Sequence, residues 1–237
     1  MDPKQKLILA LDVDNLARAT GLIEALAPYV GYFKVGLELI TAAGGPAVVH
    51  HVQRLGGQVF FDGKFHDIPN TMAAACRTVG SIGAKLFTVH ASAGPAALIA
   101  AGENRGSAEC FAVTVLTSFS EETAQHVYNQ TPMNQVLKFA KDAVDAKLDG
   151  IVCSPAELEA LGREEIFKDL KKITPGIRPS WHHGGDDQKR ILTPAEAIRA
   201  GADYLVIGRP ITNPPIGVGS PVDAVKKILA EIQEAST

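Results

Sequence analysis

Short apolar runs recur along the chain, and longer segments with polar residues lie between them. Strands that are covered on both faces are almost continuously rich in Val, Ile and Leu instead of alternating with polar residues. The runs therefore predict parallel strands beneath helices. They span residues 7–13, 32–38, 57–64, 85–92, 110–118, 150–154, 172–177 and 204–211.

The intervening segments have the spacing or the caps of helices, and they span residues 15–27, 43–55, 71–82, 96–103, 134–146, 155–161, 194–200 and 221–234. Gly83, Gly150 and Gly201 stand where three of these helices should end. Strands and helices that alternate over about 250 residues are typical of a (β/α)₈ barrel. We therefore predict an α/β fold, a (β/α)₈ TIM barrel that forms a single domain over residues 1–237. A doubly wound open sheet is the alternative.

The segment 178–187, RPSWHHGGDD, interrupts this regular pattern. It has no apolar periodicity and contains paired glycines, which predicts an exposed, mobile loop after the seventh run. Adjacent histidines in such a loop make a poor preorganised chelate, so His182 and His183 do not indicate a metal site.

Composition narrows the classes of partner. The chain has 23 Lys and Arg against 26 Asp and Glu, a net charge of -3, which gives no basic surface for nucleic acid or anionic membrane. We find no signal-peptide pattern and no apolar run of about 18 residues, so we expect a cytoplasmic protein without a membrane partner. Cys76, Cys110 and Cys153 lie among apolar neighbours, which predicts reduced, buried thiols.

Polar residues stand late in most of the apolar runs or directly after them. Active sites of (β/α)₈ barrels lie at the carboxyl ends of the strands, so these positions are candidates for a site. One buried charge fits a structural ion pair equally well, but several at one barrel mouth favour a site where they neutralise each other and a ligand. The candidates are Asp12, Lys34, Asp62, Lys64, His90, Thr117, Ser118, Arg178, Gly208 and Arg209.

The eighth run, YLVIGRPI, predicts a phosphate site. Barrels of this kind often bind phosphate after strands seven and eight. Gly208 allows the backbone to approach a ligand closely, and Arg209 offers fixed, bidentate donors to phosphate oxygens. An ordinary turn with a surface arginine is the alternative interpretation.

Several motifs, in order along nearly the whole chain, resemble the orotidine 5′-phosphate decarboxylase family. They are ALDV (10–13), KVG (34–36), DGKFHDIPNT (62–71), VTVLTS (113–118), TPGIRP (174–179), DQKRILTP (187–194) and VIGRPI (206–211). The third motif is the most specific. Its shorter core, D-x-K-x-x-D, is shared with the related metal-dependent enzymes that make hexulose phosphates.

The resemblance implies cofactor-free, metal-free decarboxylation of orotidine 5′-monophosphate to UMP in de novo pyrimidine biosynthesis. It implies that Lys34, Asp62, Lys64 and Asp67 form a charge network, with Lys64 as proton donor and Asp67 reaching the partner's site in a homodimer. Further implied contacts are those of Asp12, Lys34 and Thr71 with the ribose, Thr117 with the pyrimidine, and Arg178, Gln188, Gly208 and Arg209 with the phosphate. We assign no catalytic role to His66 or His90.

Two other functions stay open at this stage. A hexulose-phosphate synthase would require magnesium, but the residues at 68–71, IPNT, disfavour it. A non-catalytic barrel would bind the nucleotide without converting it, and the complete set of Lys34, Asp62, Lys64 and Asp67 disfavours that function. The Trp-His-His run of the 178–187 loop is unusual for the family and affects only the details of that loop.

Overall fold

The structure, a computed structural model, describes residues 2–182 and 191–236. Parallel strands close into a barrel in which each strand pairs with the next along the chain and the last pairs with the first. The predicted (β/α)₈ barrel is confirmed, and the open-sheet alternative is wrong. The strands are β1 (Leu7–Ala10), β2 (Tyr32–Val35), β3 (Val59–Phe65), β4 (Leu86–His90), β5 (Glu109–Val113), β6 (Gly150–Val152), β7 (Lys171–Thr174) and β8 (Tyr204–Ile207).

Helices cover the outside of the barrel, and each segment predicted to be helical overlaps one. They are α1 (Pro3–Lys6), α2 (Leu16–Leu26), α3 (Leu37–Ala43), α4 (Gly45–Arg54), α5 (Pro69–Ser81), α6 (Pro95–Asn104), α7 (Glu121–Tyr128), α8 (Pro132–Asp145), α9 (Leu158–Arg163), α10 (Pro194–Arg199), α11 (Arg209–Thr212) and α12 (Pro221–Ala235). Short 3₁₀ turns span Ala91–Ala93, Pro155–Glu157 and Glu165–Phe167. The pattern of apolar and polar residues did not predict α1, α3, α7 and α11.

Local sequence explains where several helices begin and end. The side chains of Asn15, Thr131 and Ser220 accept backbone N–H groups at the first turns of α2, α8 and α12. Gly83 and Gly201 follow α5 and α10 with φ angles of 88° and 99°, as predicted for glycines after helices.

Gly150 opens β6, as the predicted run 150–154 has it, but it does not end a helix. The left-handed residue after α8 is Lys147, with φ 54°. A Cβ atom at Gly150 would lie 2.3 Å from the carbonyl oxygen of Lys171. The glycine therefore permits close packing of β6 against β7.

The inward and outward faces of the strands form two separate cores. Outward side chains pack beneath the helices, and inward ones form a small cluster in the barrel interior. Because successive side chains of a strand point to opposite faces, the next inward position towards the carboxyl end lies above this cluster. Those upper positions hold Asp12, Lys34 and Asp62. The interior cluster contains Ile8, Ala10, Phe60, Leu86, Phe111, Ile173, Tyr204 and Val206.

The strands are shorter than several of the apolar runs. β5 and β7 end at Val113 and Thr174, so Thr117 and Arg178 lie in the loops that follow them. The extent of the single domain, residues 1–237, stays a prediction. The mobility of the 178–187 loop also stays a prediction, because residues 183–187 lie outside the described residues.

The three cysteines are buried and form no disulfide, as predicted. Within residues 2–182 and 191–236, no helix has the length and apolar character needed to cross a membrane.

Candidate active site

A cavity of about 330 Å³ opens at the carboxyl ends of the strands. Its apolar wall includes Ala10, Phe60, Val113, Val115, Leu116, Val152, Cys153, Ile173, Pro175 and Val206. Its polar residues are Asp12, Lys34, Asp62, Lys64, Thr117, Arg178, Arg209 and Thr212, and Gly176 and Gly208 complete the lining. An apolar floor beneath a charged rim suits a ligand that combines a flat ring with an anionic group.

Four charged residues form a chain across this rim. Lys34 Nζ donates a hydrogen bond to Asp12 Oδ1 at 2.8 Å and lies 3.8 Å from Asp62 Oδ2. Lys64 Nζ donates to the same Asp62 oxygen at 2.6 Å. Asp62 is therefore held between two ammonium groups on neighbouring strands.

An irregularity in β3 brings Lys64 to the cavity. Phe61 pairs with Phe87, but the next pair joins Phe65 to Val89, so β3 contains extra residues at this point. Lys64 has a φ angle of 49°, in the left-handed region that costs a non-glycine residue roughly 1–3 kcal/mol. A Cβ atom at Gly63 would lie 2.7 Å from the Phe61 ring, so glycine is needed inside the bulge. Such bulges re-aim side chains beside active sites.

The second lysine of the network also depends on a neighbouring glycine. A Cβ atom at Gly36 would lie 2.9 Å from Lys34 Nζ. Glycine at this position leaves room for the lysine side chain to fold back towards Asp12.

Burial and charge act in opposite directions on Asp62, which is only 7% exposed. Burial opposes ionisation, but the charges of Lys64 and Lys34 and the hydrogen bonds from Lys64 and Thr88 together lower its pKa below the ordinary value. The carboxylate is consequently ionised at neutral pH. Burial also lowers the pKa of His90, and the neighbouring His66 and Lys64 contribute to the same effect.

Most residues implicated by the sequence meet at this cavity. Asp12, Thr117 and Arg178 border it with the charge network, and Gly208 and Arg209 line it directly after the end of β8. The Arg178 Nη1 donates to the carbonyl of Ile177 at 2.9 Å. Gln188 and His183 lie outside the described residues.

Asp67 and Thr71 do not join the cavity of their own chain in the part that the structure describes. Asp67 is exposed, and its Oδ1 accepts the backbone N–H of Ile68 at 2.7 Å. Thr71 is exposed beside a separate apolar groove between α4 and α5 that includes Phe61 and Phe65. Neither residue therefore lines the cavity formed by the described part of its own chain.

The sequence pattern did not identify Cys153 as a cavity residue, the other residues of the apolar wall or the buried Thr88. Thr88 donates a hydrogen bond to Asp62 and accepts one from the backbone of Lys64. The sequence did contain a signal for Thr88. Leu86, Thr88 and His90 are every second residue of β4, so they share its inward face.

In the described ranges 2–182 and 191–236, no group of three or more His, Cys, Asp or Glu is arranged to hold a metal ion.

Comparisons with known proteins agree on one family. The model of the orotidine 5′-phosphate decarboxylase / HUMPS family matches residues 5–228. An orotidine 5′-phosphate decarboxylase of Moorella thermoacetica is 46% identical over 98% of this chain and 94% of its own. Its counterpart in Geotalea daltonii is 44% identical over 98% of this chain and 97% of its own. The crystal structure of orotidine 5′-phosphate decarboxylase from Lactobacillus acidophilus superimposes with a TM-score of 0.81 at 32% identity, covering 95% of this chain and 98% of that one.

The charge network predicts a graded response of Asp62 to loss of its neighbours. In Lys64→Met the pKa of the Asp62 carboxyl rises, because the ammonium that lies 2.6 Å away is lost. In Lys34→Met the rise is smaller, because that ammonium lies 3.8 Å away. A pH titration of the Asp62 carboxyl carbon by NMR measures both shifts.

The control for this titration is Lys141→Met, which removes an exposed lysine that pairs with Asp145 on α8. The Asp62 pKa should not change in that variant. An Asp62 pKa that is unaffected by Lys64→Met would contradict the network.

Proposed function

The chain belongs to the orotidine 5′-phosphate decarboxylase / HUMPS family, and we propose that it converts orotidine 5′-monophosphate to UMP in pyrimidine biosynthesis without a cofactor. The relatives named for this activity support the choice of reaction. The observation that carries the chemistry is the 2.6 Å contact between Lys64 Nζ and Asp62 Oδ2 inside the cavity.

The proposed reaction leaves a negative charge at C6 of the pyrimidine when the carboxylate departs as CO₂. The Lys64 ammonium, held by Asp62, stabilises that charge and then transfers its proton to C6. The electron pair of the broken C–C bond forms the new C–H bond, so no external oxidant or reductant is required. Lys34, which lies 3.8 Å from the same oxygen of Asp62, helps to keep the carboxylate ionised throughout.

Asp62 also faces the carboxylate of the substrate in this proposal. Two like charges about 4 Å apart repel by roughly 4 kcal/mol at an effective dielectric near 20. The repulsion disappears as CO₂ leaves, which favours the reaction. Enzymes lower barriers by about 8–23 kcal/mol, so this repulsion contributes only part of the rate enhancement.

Binding of the phosphate supplies a further part. We propose that Arg209, Gly208 and Arg178 bind it, together with Gln188 in the segment that the structure does not describe. Energy from this non-reacting group can hold the substrate against the charge network. We propose that Asp12 and Lys34, which are linked at 2.8 Å, hold ribose hydroxyls between the phosphate and the ring, and that Thr117, in the cavity lining, contacts the ring.

The proposed enzyme is a homodimer in which Asp67 completes the charge network of the partner. Asp67 is exposed and does not line the cavity of its own chain, which supports this arrangement. Two large apolar side chains are exposed: Leu37 at the start of α3 is 55% exposed, and Ile68, next to Asp67 in the chain, is 67% exposed. Contact with a second subunit would cover them, and Thr71 would reach the ribose from the same surface.

The reaction itself is tested with Lys64→Ala. We expect the decarboxylation rate to fall by roughly 10⁴-fold or more, because both the electrostatic stabilisation and the proton donor are lost. The assay follows the loss of orotidine 5′-monophosphate absorbance in the presence of a chelator, with Lys141→Ala as the surface control. Circular dichroism should show an intact fold in both variants.

This assay also separates the competing functions. A metal-dependent hexulose-phosphate synthase would not consume the nucleotide, and a non-catalytic barrel would bind UMP without turnover. Substantial activity of Lys64→Ala would refute the assigned role of Lys64.

Phosphate binding is tested with Arg209→Ala. The loss of a charged partner should lower kcat/KM for the nucleotide by roughly 30-fold or more. The effect on orotidine, which lacks the phosphate, should be much smaller. Arg199→Ala, which removes an exposed arginine at the end of α10, serves as the control. Equal losses on both substrates would contradict phosphate binding by Arg209.

The shared site is tested by mixing two inactive variants, Lys64→Ala and Asp67→Ala. In a mixed dimer one site combines both defects, and the other combines the intact Lys64 of one subunit with the intact Asp67 of the other. Random exchange of subunits should therefore restore about a quarter of the wild-type sites. Activity is measured after dilution, unfolding and joint refolding. Mixtures that stay inactive although sedimentation shows mixed dimers would exclude the shared site.

A further inference from the structure

Thr88 is a fully buried polar residue directly behind the charge network. It lies on the inward face of β4, with 0% exposure, and it does not contribute to the cavity lining. We propose that Thr88 is a positioning residue that sets the geometry of both Asp62 and Lys64. This inference rests on the proposed decarboxylase function, in which those two residues act on the substrate.

The hydroxyl of Thr88 makes two hydrogen bonds with assigned directions. The backbone N–H of Lys64 can only donate, so Thr88 Oγ1 accepts it, at 2.9 Å. The single proton of the hydroxyl is then available for Asp62 Oδ1, also at 2.9 Å. One side chain thus links the carboxylate of one residue to the backbone of the other.

These contacts fix the orientation of the Asp62 carboxylate. Thr88 occupies Oδ1, whereas the ammonium groups of Lys64 and Lys34 lie 2.6 Å and 3.8 Å from Oδ2. Rotation of the carboxylate would break contacts on both oxygens. The oxygen that bears the Lys64 ammonium therefore keeps a single position in the cavity.

Thr88 also acts at the bulge of β3. Regular pairing stops after Phe61 with Phe87 and resumes at Phe65 with Val89, so Thr88 alone on β4 faces the extra residues of β3. Its hydroxyl accepts the Lys64 N–H at this interruption. The left-handed backbone of Lys64, which re-aims the side chain, thus depends on a side-chain acceptor.

Removal of this hydroxyl should affect turnover more than binding. Thr88 lies behind the cavity surface and does not contact the substrate, so KM should change little. The catalytic ammonium and carboxylate would lose their fixed geometry, which matters when charge develops in the transition state. The Asp62 pKa would also rise, because a hydrogen bond to its ionised form is lost.

The test compares Thr88→Val, which preserves shape without the hydroxyl, with Thr88→Ser, which preserves the hydroxyl. In Thr88→Val we expect kcat to fall roughly 10- to 100-fold with KM within about twofold, and the acid limb of the kcat–pH profile to move to higher pH. Thr88→Ser should recover most of kcat and the wild-type pH profile. If Thr88→Val does not fold, Thr88→Ala against Thr88→Ser gives the same comparison.

Thr114→Val is the matched control. Thr114 is also fully buried, but its hydroxyl donates to the backbone carbonyl of Val152 at 2.8 Å instead of to a charged side chain. This variant should lower the thermal midpoint without changing the pH profile. Equal behaviour of Thr88→Val and Thr114→Val would show that Thr88 is merely structural and would overturn the proposal.

The outcomes also separate this inference from the proposed function. A wild-type protein without decarboxylase activity would refute the function itself. An active wild type whose kcat and pH profile are unchanged in Thr88→Val would refute only the role of Thr88.

Discussion

The site depends on keeping a buried carboxylate charged. An isolated Asp in the position of Asp62 would take up a proton instead of remaining ionised, because the loss of hydration penalises its charge. Ammonium groups on two strands and a hydroxyl on a third offset that penalty. The same contacts hold the ammonium of Lys64 beside the space for a ligand, so one electrostatic requirement determines both stability and chemistry.

The closed barrel satisfies this requirement because it brings distant segments of the chain to one rim. Lys34 pairs in register with Phe60, one inward position below Asp62, so β2 and β3 place the ammonium and carboxylate within reach of each other. β8 closes the barrel against β1 and brings Gly208 close to Ala10 and Asp12. The apolar interior below fills the barrel, and the polar layer above it remains open to a ligand.

The sequence predicted the barrel because buried parallel strands have a strong compositional pattern, and it predicted the charged rim because charges at strand ends are conspicuous. It did not predict where β5 and β7 end, since apolar residues continue into the loops that follow them. The short helix α3 was missed because its residues directly follow an apolar strand. The bulge depends on pairing with β4, which no local pattern in β3 specifies, and Thr88 acquires its significance only from that pairing.

The left-handed backbone of Lys64 has a consequence for transplanting this chemistry into another scaffold. An Asp-x-Lys sequence placed on a regular strand would satisfy the motif, but its second side chain would follow the ordinary pleat. Gly63, the extra length of β3 and a hydroxyl on the adjacent strand would have to be copied together. The smallest unit that carries the backbone of Lys64 is therefore a pair of strands, and Lys34 on β2 adds a third strand to keep Asp62 charged.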